Sequence, residues 1–161
     1  MPRLVGLVGL PGSGKSTLVR SETKGGFGDP FCGFIVIDDM GFDGRWFYDD
    51  EDRAAWNNGP WSKTVSLARA ALGLGFNVLI SDVIFCSEGN RTLVQSWFPD
   101  HEIEWEFFQN DPEQCIANSK ARGRSGRVDT EIAVIEQLTT VYAPPPNARP
   151  VFRTAPEVKP S

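Results

Sequence analysis

The chain has 161 residues, 40% hydrophobic and 23% charged, the length and balance of one soluble globular domain with a core of its own. Its 16 Lys and Arg against 21 Asp and Glu give a formal net charge of -5, which excludes a long basic track for nucleic acid but not a small basic pocket for one strand end. Cys32, Cys86 and Cys115 are widely spaced and form no CxxC pair, and the first residues carry no long apolar run, so a disulfide framework, a signal peptide and a spanning helix are set aside in favour of a reducing, cytoplasmic setting.

Apolar runs alternate with helical stretches along the chain. Residues 4–8 read as a short buried strand, followed by a glycine turn and a helix over residues 15–20. Residues 33–37 form a second strand. Asp49, Asp50, Glu51 and Asp52 read as a solvated loop between the aromatic residues Trp46, Phe47, Tyr48 and Trp56, which with Trp61 pack a small subdomain or line a pocket. Residues 62–74 carry Val65, Ala68, Ala71 and Leu72 on one helical face. A third strand spans 76–80. The single histidine, His101, beside Pro99 and Asp100, reads as a solvated turn residue, which argues against histidine catalysis and a multi-histidine metal site. The fourth strand, 103–108, alternates Glu104 and Glu106 with apolar residues, the pattern of an edge. Asp111 caps a helix with Pro112 at its first position, running to Arg122. Asp129 caps a last helix to Tyr142 with the stripe Ile132, Ile135, Leu138 and Tyr142, and three prolines end it. Residues 151–152 complete a five-stranded, mainly parallel sheet flanked by helices, an α/β fold, with residues 1–154 as one domain and 155–161 as a frayed tail.

Residues 9–17, GLPGSGKST, match GxxxxGK[ST] between a strand and a helix. Glycines let the backbone approach oxygen atoms without a Cβ in the way, and successive N–H groups at a helix start then face a phosphate. Gly12, Ser13, Gly14, Lys15, Ser16 and Thr17 are therefore read as the ATP phosphate site: Lys15 supplies charge to the β- and γ-phosphates, and the Ser16 hydroxyl is a ligand for Mg²⁺. Two acidic positions end apolar runs, Asp38 with Asp39, and Asp82. In parallel sheets ligands sit beyond the strands' carboxyl ends, so one acid suits a general base toward a hydroxyl and another an acceptor or water-bound metal contact. Lys120, Arg122, Arg124 and Arg127, with Gly123 and Gly126, lie between two helices, the composition of a mobile lid that brings positive charge onto a transferring phosphoryl group.

Together these segments resemble the P-loop kinase domain of the phage-type 5′-polynucleotide kinases over most of residues 4–142. The likeness rests on residues 11–17, on Asp38-Asp39, on Ile80-Ser81-Asp82, and on residues 118–123 as the start of the lid. It implies Asp38 as catalytic base, Lys15, Arg122 and Arg127 as catalytic cations, Asp39 and Asp82 at the acceptor, and ATP with Mg²⁺ as cofactors. It extends to phage-encoded enzymes acting in a host cytoplasm. Where the family places an arginine three residues after the base, this chain has Gly41, and Arg45 is the nearest substitute for holding an acceptor phosphate. The reading is a γ-phosphoryl kinase acting on the 5′-OH of a DNA or RNA end. Gly41 and the acidic charge keep a small hydroxyl acceptor open (a nucleoside, nucleotide or modified base), and a switch or NTPase without an acceptor is the rival of another class.

Overall fold

A computed structural model describes residues 1–15, 17–18, 33–38, 60–123 and 126–153. Four strands, β1 (Leu4–Val8), β2 (Ile35–Asp38), β3 (Val78–Ser81) and β4 (Ile103–Phe107), form one all-parallel sheet in the order β2-β3-β1-β4. Helices α1 (Pro60–Gly73), α2 (Glu88–Ser96), α3 (Pro112–Arg122) and α4 (Val128–Thr139) are described with it, and a short 3₁₀ turn (Val83–Cys86) follows β3.

The continuous apolar runs of β1 and β3 have the physical cause expected: both are interior strands, buried at every position. Successive side chains leave opposite faces, and the core divides accordingly. Leu4, Val8, Val78 and Ile80 join Ala68, Ala71 and Leu72 of α1, Val94 of α2, Cys115 of α3 and Ile135 of α4. Val5, Leu7 and Leu79 meet Phe34 and the partly buried Leu18 on the other side. The α1 stripe is as expected, with Val65 half-buried. β4 lies at a sheet margin among the described strands, and its exposed Glu104 is held in a two-pronged ion pair by Arg3, at 2.8 and 2.9 Å. At Gly6 a Cβ would come 2.3 Å from the Trp105 ring, which itself meets Phe85 edge-on at 4.9 Å.

Several boundaries differ from expectation. The fifth strand reduces to one parallel bridge, Phe108 to Arg149, among the described residues. Pro150 has no N–H to continue a ladder. β2 begins at Ile35 and includes Asp38, and β3 begins at Val78, with Phe76 half-exposed before it. The last helix starts at Val128 with Arg127 at its cap and no side-chain capping bond, so Asp129 sits in its first turn rather than capping it. That helix ends at Thr139. Tyr142 lies beyond it yet is buried, its hydroxyl donating to the carbonyls of Val8 and Phe108. α2 has no counterpart among the elements that the sequence pattern predicts. Ser87 caps it through the Asn90 amide, and only two apolar side chains, Leu93 and Val94, mark its inner face. The residues 19–20 of the first helix, the acidic loop 49–52, the aromatic residues Trp46, Phe47, Tyr48 and Trp56, and the tail 155–161 lie outside the described residues. Among the described residues no helix is long and apolar enough to cross a membrane.

Candidate active site

β1 delivers the chain into the glycine loop at the carboxyl edge of the sheet, and the helical backbone opens at Lys15. Leu18 N donates to Gly14 O at 2.8 Å, the first bond of that helix. Two glycines are obligatory here. Gly12 (φ 80°) and Gly14 (φ 104°) adopt left-handed backbone, and a Cβ would approach the Cys115 carbonyl oxygen or the Phe152 Cβ to 2.5 Å.

The Lys15 ammonium donates to the carbonyls of Gly9 at 2.8 Å and Leu10 at 2.9 Å, and reaches Ser13 Oγ at 3.4 Å. Lys15 is therefore not the solvated charge that its place in a phosphate-binding motif suggests. It is buried, 8% exposed, and its charge is balanced by loop oxygens. Two thiols sit in the same surroundings. Burial pushes Cys86 up to about 12 and Cys115 up to about 11, with the Lys15 charge pulling both the other way.

The acids gather at the same edge. β2 and β3 pair with Asp38 opposite Ser81, and β3 and β1 pair with Leu7 opposite Ser81, so the ends of β2, β3 and β1 are consecutive beside the loop. Asp82 follows β3 directly. It is buried, and its Oδ1 accepts the Ile84 amide at 3.1 Å, capping the 3₁₀ turn. Topology thus brings Asp38 and Asp82 to one side of the glycine loop. The Asp38 side chain, Asp39, Gly41, Arg45 and Ser16 lie outside the described residues. Thr17 is half-buried in the helix after the loop.

The basic turn resolves into two kinds of group. Gly123 ends α3 in left-handed backbone, as a helix terminus with a glycine does. Arg122, in the last turn of α3, pairs with Glu131 of α4 at 3.1 Å, and Glu131 also accepts the Ser119 hydroxyl. Lys120 and Arg127 are exposed, and Arg124 lies outside the described residues. Asn118 and Ser119, read as the start of the lid, are instead buried on the inner face of α3. Asn118 Nδ2 donates to Gly12 O at 2.8 Å and to Phe152 O. Sequence reasoning missed this rear wall of the loop, formed by Gln114, Asn118, Phe152 and Arg153, because its partners are far apart in the chain and share no local pattern.

A glycine loop between a buried parallel strand and a helix, in a parallel sheet flanked by helices, defines the P-loop kinase fold. A family model described as an AAA domain matches residues 4–145, and the chain belongs to that family. Among solved structures it is similar to a sugar kinase from Janibacter sp. HTCC2649 (17% identity, TM-score 0.57, covering 94% of this chain and 84% of that one). It is similar to the Mycobacterium tuberculosis APS kinase CysC in complex with AMPPNP and APS (20%, TM-score 0.54, 98% and 90%). It is similar also to a chain of the Pnkp1/Rnl/Hen1 RNA repair complex (17%, TM-score 0.56, 88% and 46%). No curated protein matches the chain.

Proposed function

We propose that the protein is an ATP-dependent kinase that moves the γ-phosphoryl group to a hydroxyl acceptor. The observation that carries this reading is the glycine loop with a buried ammonium at its centre and acids at the two neighbouring strand ends. Triphosphate oxygens would compete with the Gly9 and Leu10 carbonyls for the Lys15 ammonium, turning a charge neutralised inside the loop onto the β- and γ-phosphates. Asp38 would accept the acceptor's proton. The acceptor oxygen forms a bond to the γ-phosphorus, the bond from phosphorus to the β-bridging oxygen breaks, and a phosphomonoester and ADP leave. Arg122 and Arg127 would balance charge on the phosphoryl group in flight.

The donor set at this edge suits Mg²⁺. Asp38, Ser81 and Asp82 are oxygen donors, the Ser81 hydroxyl is buried with no hydrogen-bond partner among the described residues, and a hard cation takes oxygen ligands. Ser16, with Asp82 through water, would hold the ion. Bound there, Mg²⁺ would supply positive charge to offset that of the triphosphate.

The acceptor best supported by the sequence resemblance is a nucleic-acid 5′-OH, with Asp39 and Arg45 at its binding side. A second reading, a small hydroxyl metabolite, is supported by full-length similarity: this chain spans 84% and 90% of two small-molecule kinases but 46% of the RNA-repair chain. Incubation with γ-labelled ATP and separate panels of 5′-OH oligonucleotides, nucleosides, nucleotides and sugars tests both. Label in an oligonucleotide, with a salt slope of about -1 to -2 in the log of acceptor affinity at about -0.7 per phosphate held, supports the first. Label in a small molecule alone overturns it, and phosphate release with no labelled product overturns the kinase reading.

A further inference from the structure

The phosphate loop is held from behind by a chain of hydrogen bonds whose polarity is fully determined. Arg153 Nη1 donates to Gln114 Oε1 at 3.1 Å, Gln114 Nε2 donates to Asn118 Oδ1 at 2.9 Å, and Asn118 Nδ2 donates to Gly12 O and Phe152 O. A guanidinium only donates, so Gln114 must turn its oxygen to Arg153 and its NH₂ to Asn118. Carbonyls only accept, so the same orientation of Asn118 follows independently from the other end. Asn118 is buried, 3% exposed, where a misplaced amide has no water to turn to.

The consequence reaches the face of the loop that would meet phosphate. In a trans peptide the N–H points opposite to the C=O. The Gly12 carbonyl is drawn back to Asn118, and the Ser13 carbonyl is drawn back to Phe152 N at 3.0 Å. The N–H groups of those two peptide planes, of Ser13 and Gly14, are thereby turned the other way, away from α3 and the 150–153 segment. Ser13 N–H donates to Leu10 O at 3.1 Å, tightening the turn. The Gly14 N–H belongs to the peptide whose oxygen the 150–153 segment holds.

We propose that Asn118 is a positioning residue for nucleotide binding, which it serves by locking the 150–153 segment onto the back of the glycine loop so that the turn keeps its shape and the Gly14 amide stays aimed at phosphate. The proposal rests on the kinase reading above. It makes the loop's competence depend on residues more than a hundred positions downstream, through one carboxamide.

Three variants test it, with ATP affinity measured by calorimetry and backbone amide exchange followed in the nucleotide-free protein. Asn118→Ala should weaken ATP binding about tenfold to a hundredfold and raise exchange at Phe152. Asn118→Asp has the same shape but presents a carboxylate to two carbonyl oxygens. Burial raises its pKa, so only acid restores a donor O–H, and ATP affinity should recover between pH 8 and pH 5 in this variant alone. Gln114→Glu keeps the surface partner of Arg153 and removes the donor toward Asn118, so the Asn118 NH₂ is drawn to residue 114 and away from the loop. This half-exposed change should fold and still weaken ATP binding several-fold. Wild-type protein that binds ATP beside variants that bind equally well, with Phe152 exchange unchanged, overturns the proposal alone. Wild-type protein that binds no ATP, while Phe152 exchange still rises in Asn118→Ala, overturns the kinase reading and with it the role given to Asn118.

Discussion

The glycine loop and the basic turn between α3 and α4 both carry cations, and they hold them in opposite ways. Lys15 is buried among oxygens of its own loop, and the loop is braced by α3 and by the chain after Arg149. Arg127 stands exposed at a helix start without a side-chain capping bond, and Arg122 is tied to α4 by an ion pair with Glu131. The first region holds its shape through its own hydrogen bonds, which lowers the ordering cost of binding. The other keeps charge near the surface, where it can be redirected at modest cost. In a kinase this division suits a fixed seat for phosphates and a separate charge that engages the group being transferred.

The comparison breaks most sharply at Lys15. Lys15→Ala is expected to abolish nearly all phosphoryl transfer, and also to lower stability by about 1–3 kcal/mol, since two loop carbonyls lose their donor. Transfer assays beside thermal melts check both, and full activity would remove the phosphate role. Next comes the acid edge. Asp38→Asn should lower kcat by about 10²–10⁴-fold with ATP affinity little changed. If Asp39→Asn is crippled while Asp38→Asn is not, the base is one residue later.

In the basic turn, Arg127→Ala should lower kcat about tenfold to a hundredfold and leave the melting temperature in place. Arg122→Ala should lower both, because Glu131 is nearly buried and loses a charged partner. Equal melting temperatures for the two variants would contradict the ion pair's importance. The smallest effect is expected at Arg3–Glu104, an exposed pair that calibrates what surface charge contributes. The Arg3 guanidinium lowers the Glu104 carboxyl below its ordinary value. Its stabilisation is therefore present above the unfolded carboxyl range, near pH 4.3 by the usual reference, and is lost as pH falls through the lower folded value. Glu104→Gln should lower stability by less than about 1 kcal/mol at pH 7, with the difference vanishing in acid and shrinking in salt. Urea melts at pH 7 and in acid measure it.

Local chemistry made much of this legible. The glycine spacing marked the loop, and the uninterrupted apolar runs marked β1 and β3 as interior strands, because both signals are written in consecutive residues. The proline-capped α3 was equally readable: Asp111 Oδ1 accepts the Gln114 amide at 3.1 Å. What stayed hidden depends on distant partners. α2 presents little apolar surface and packs partly through Asn90, whose amide donates to Ile84 O at 3.1 Å. The fifth strand failed at Pro150, where the chain leaves the sheet and goes to the loop instead. The burial of Lys15 is equally hidden, because nothing in the motif says that the loop's own carbonyls enclose it.

The Tyr142 hydroxyl joins the carbonyls of Val8 and Phe108, and the segment beyond it closes the back of the loop. During synthesis the GxxxxGK[ST] stretch leaves the ribosome well before the groups that set its shape, which follow more than a hundred residues later in the chain. Elongation at about 5–20 residues per second separates those events by several seconds or more. Through that interval the nascent chain carries the motif without its supports. On the proposed function, nucleotide would therefore offer little stabilisation to partly made chains, and ATP would act as a folding ligand only once the segment through Arg153 has emerged.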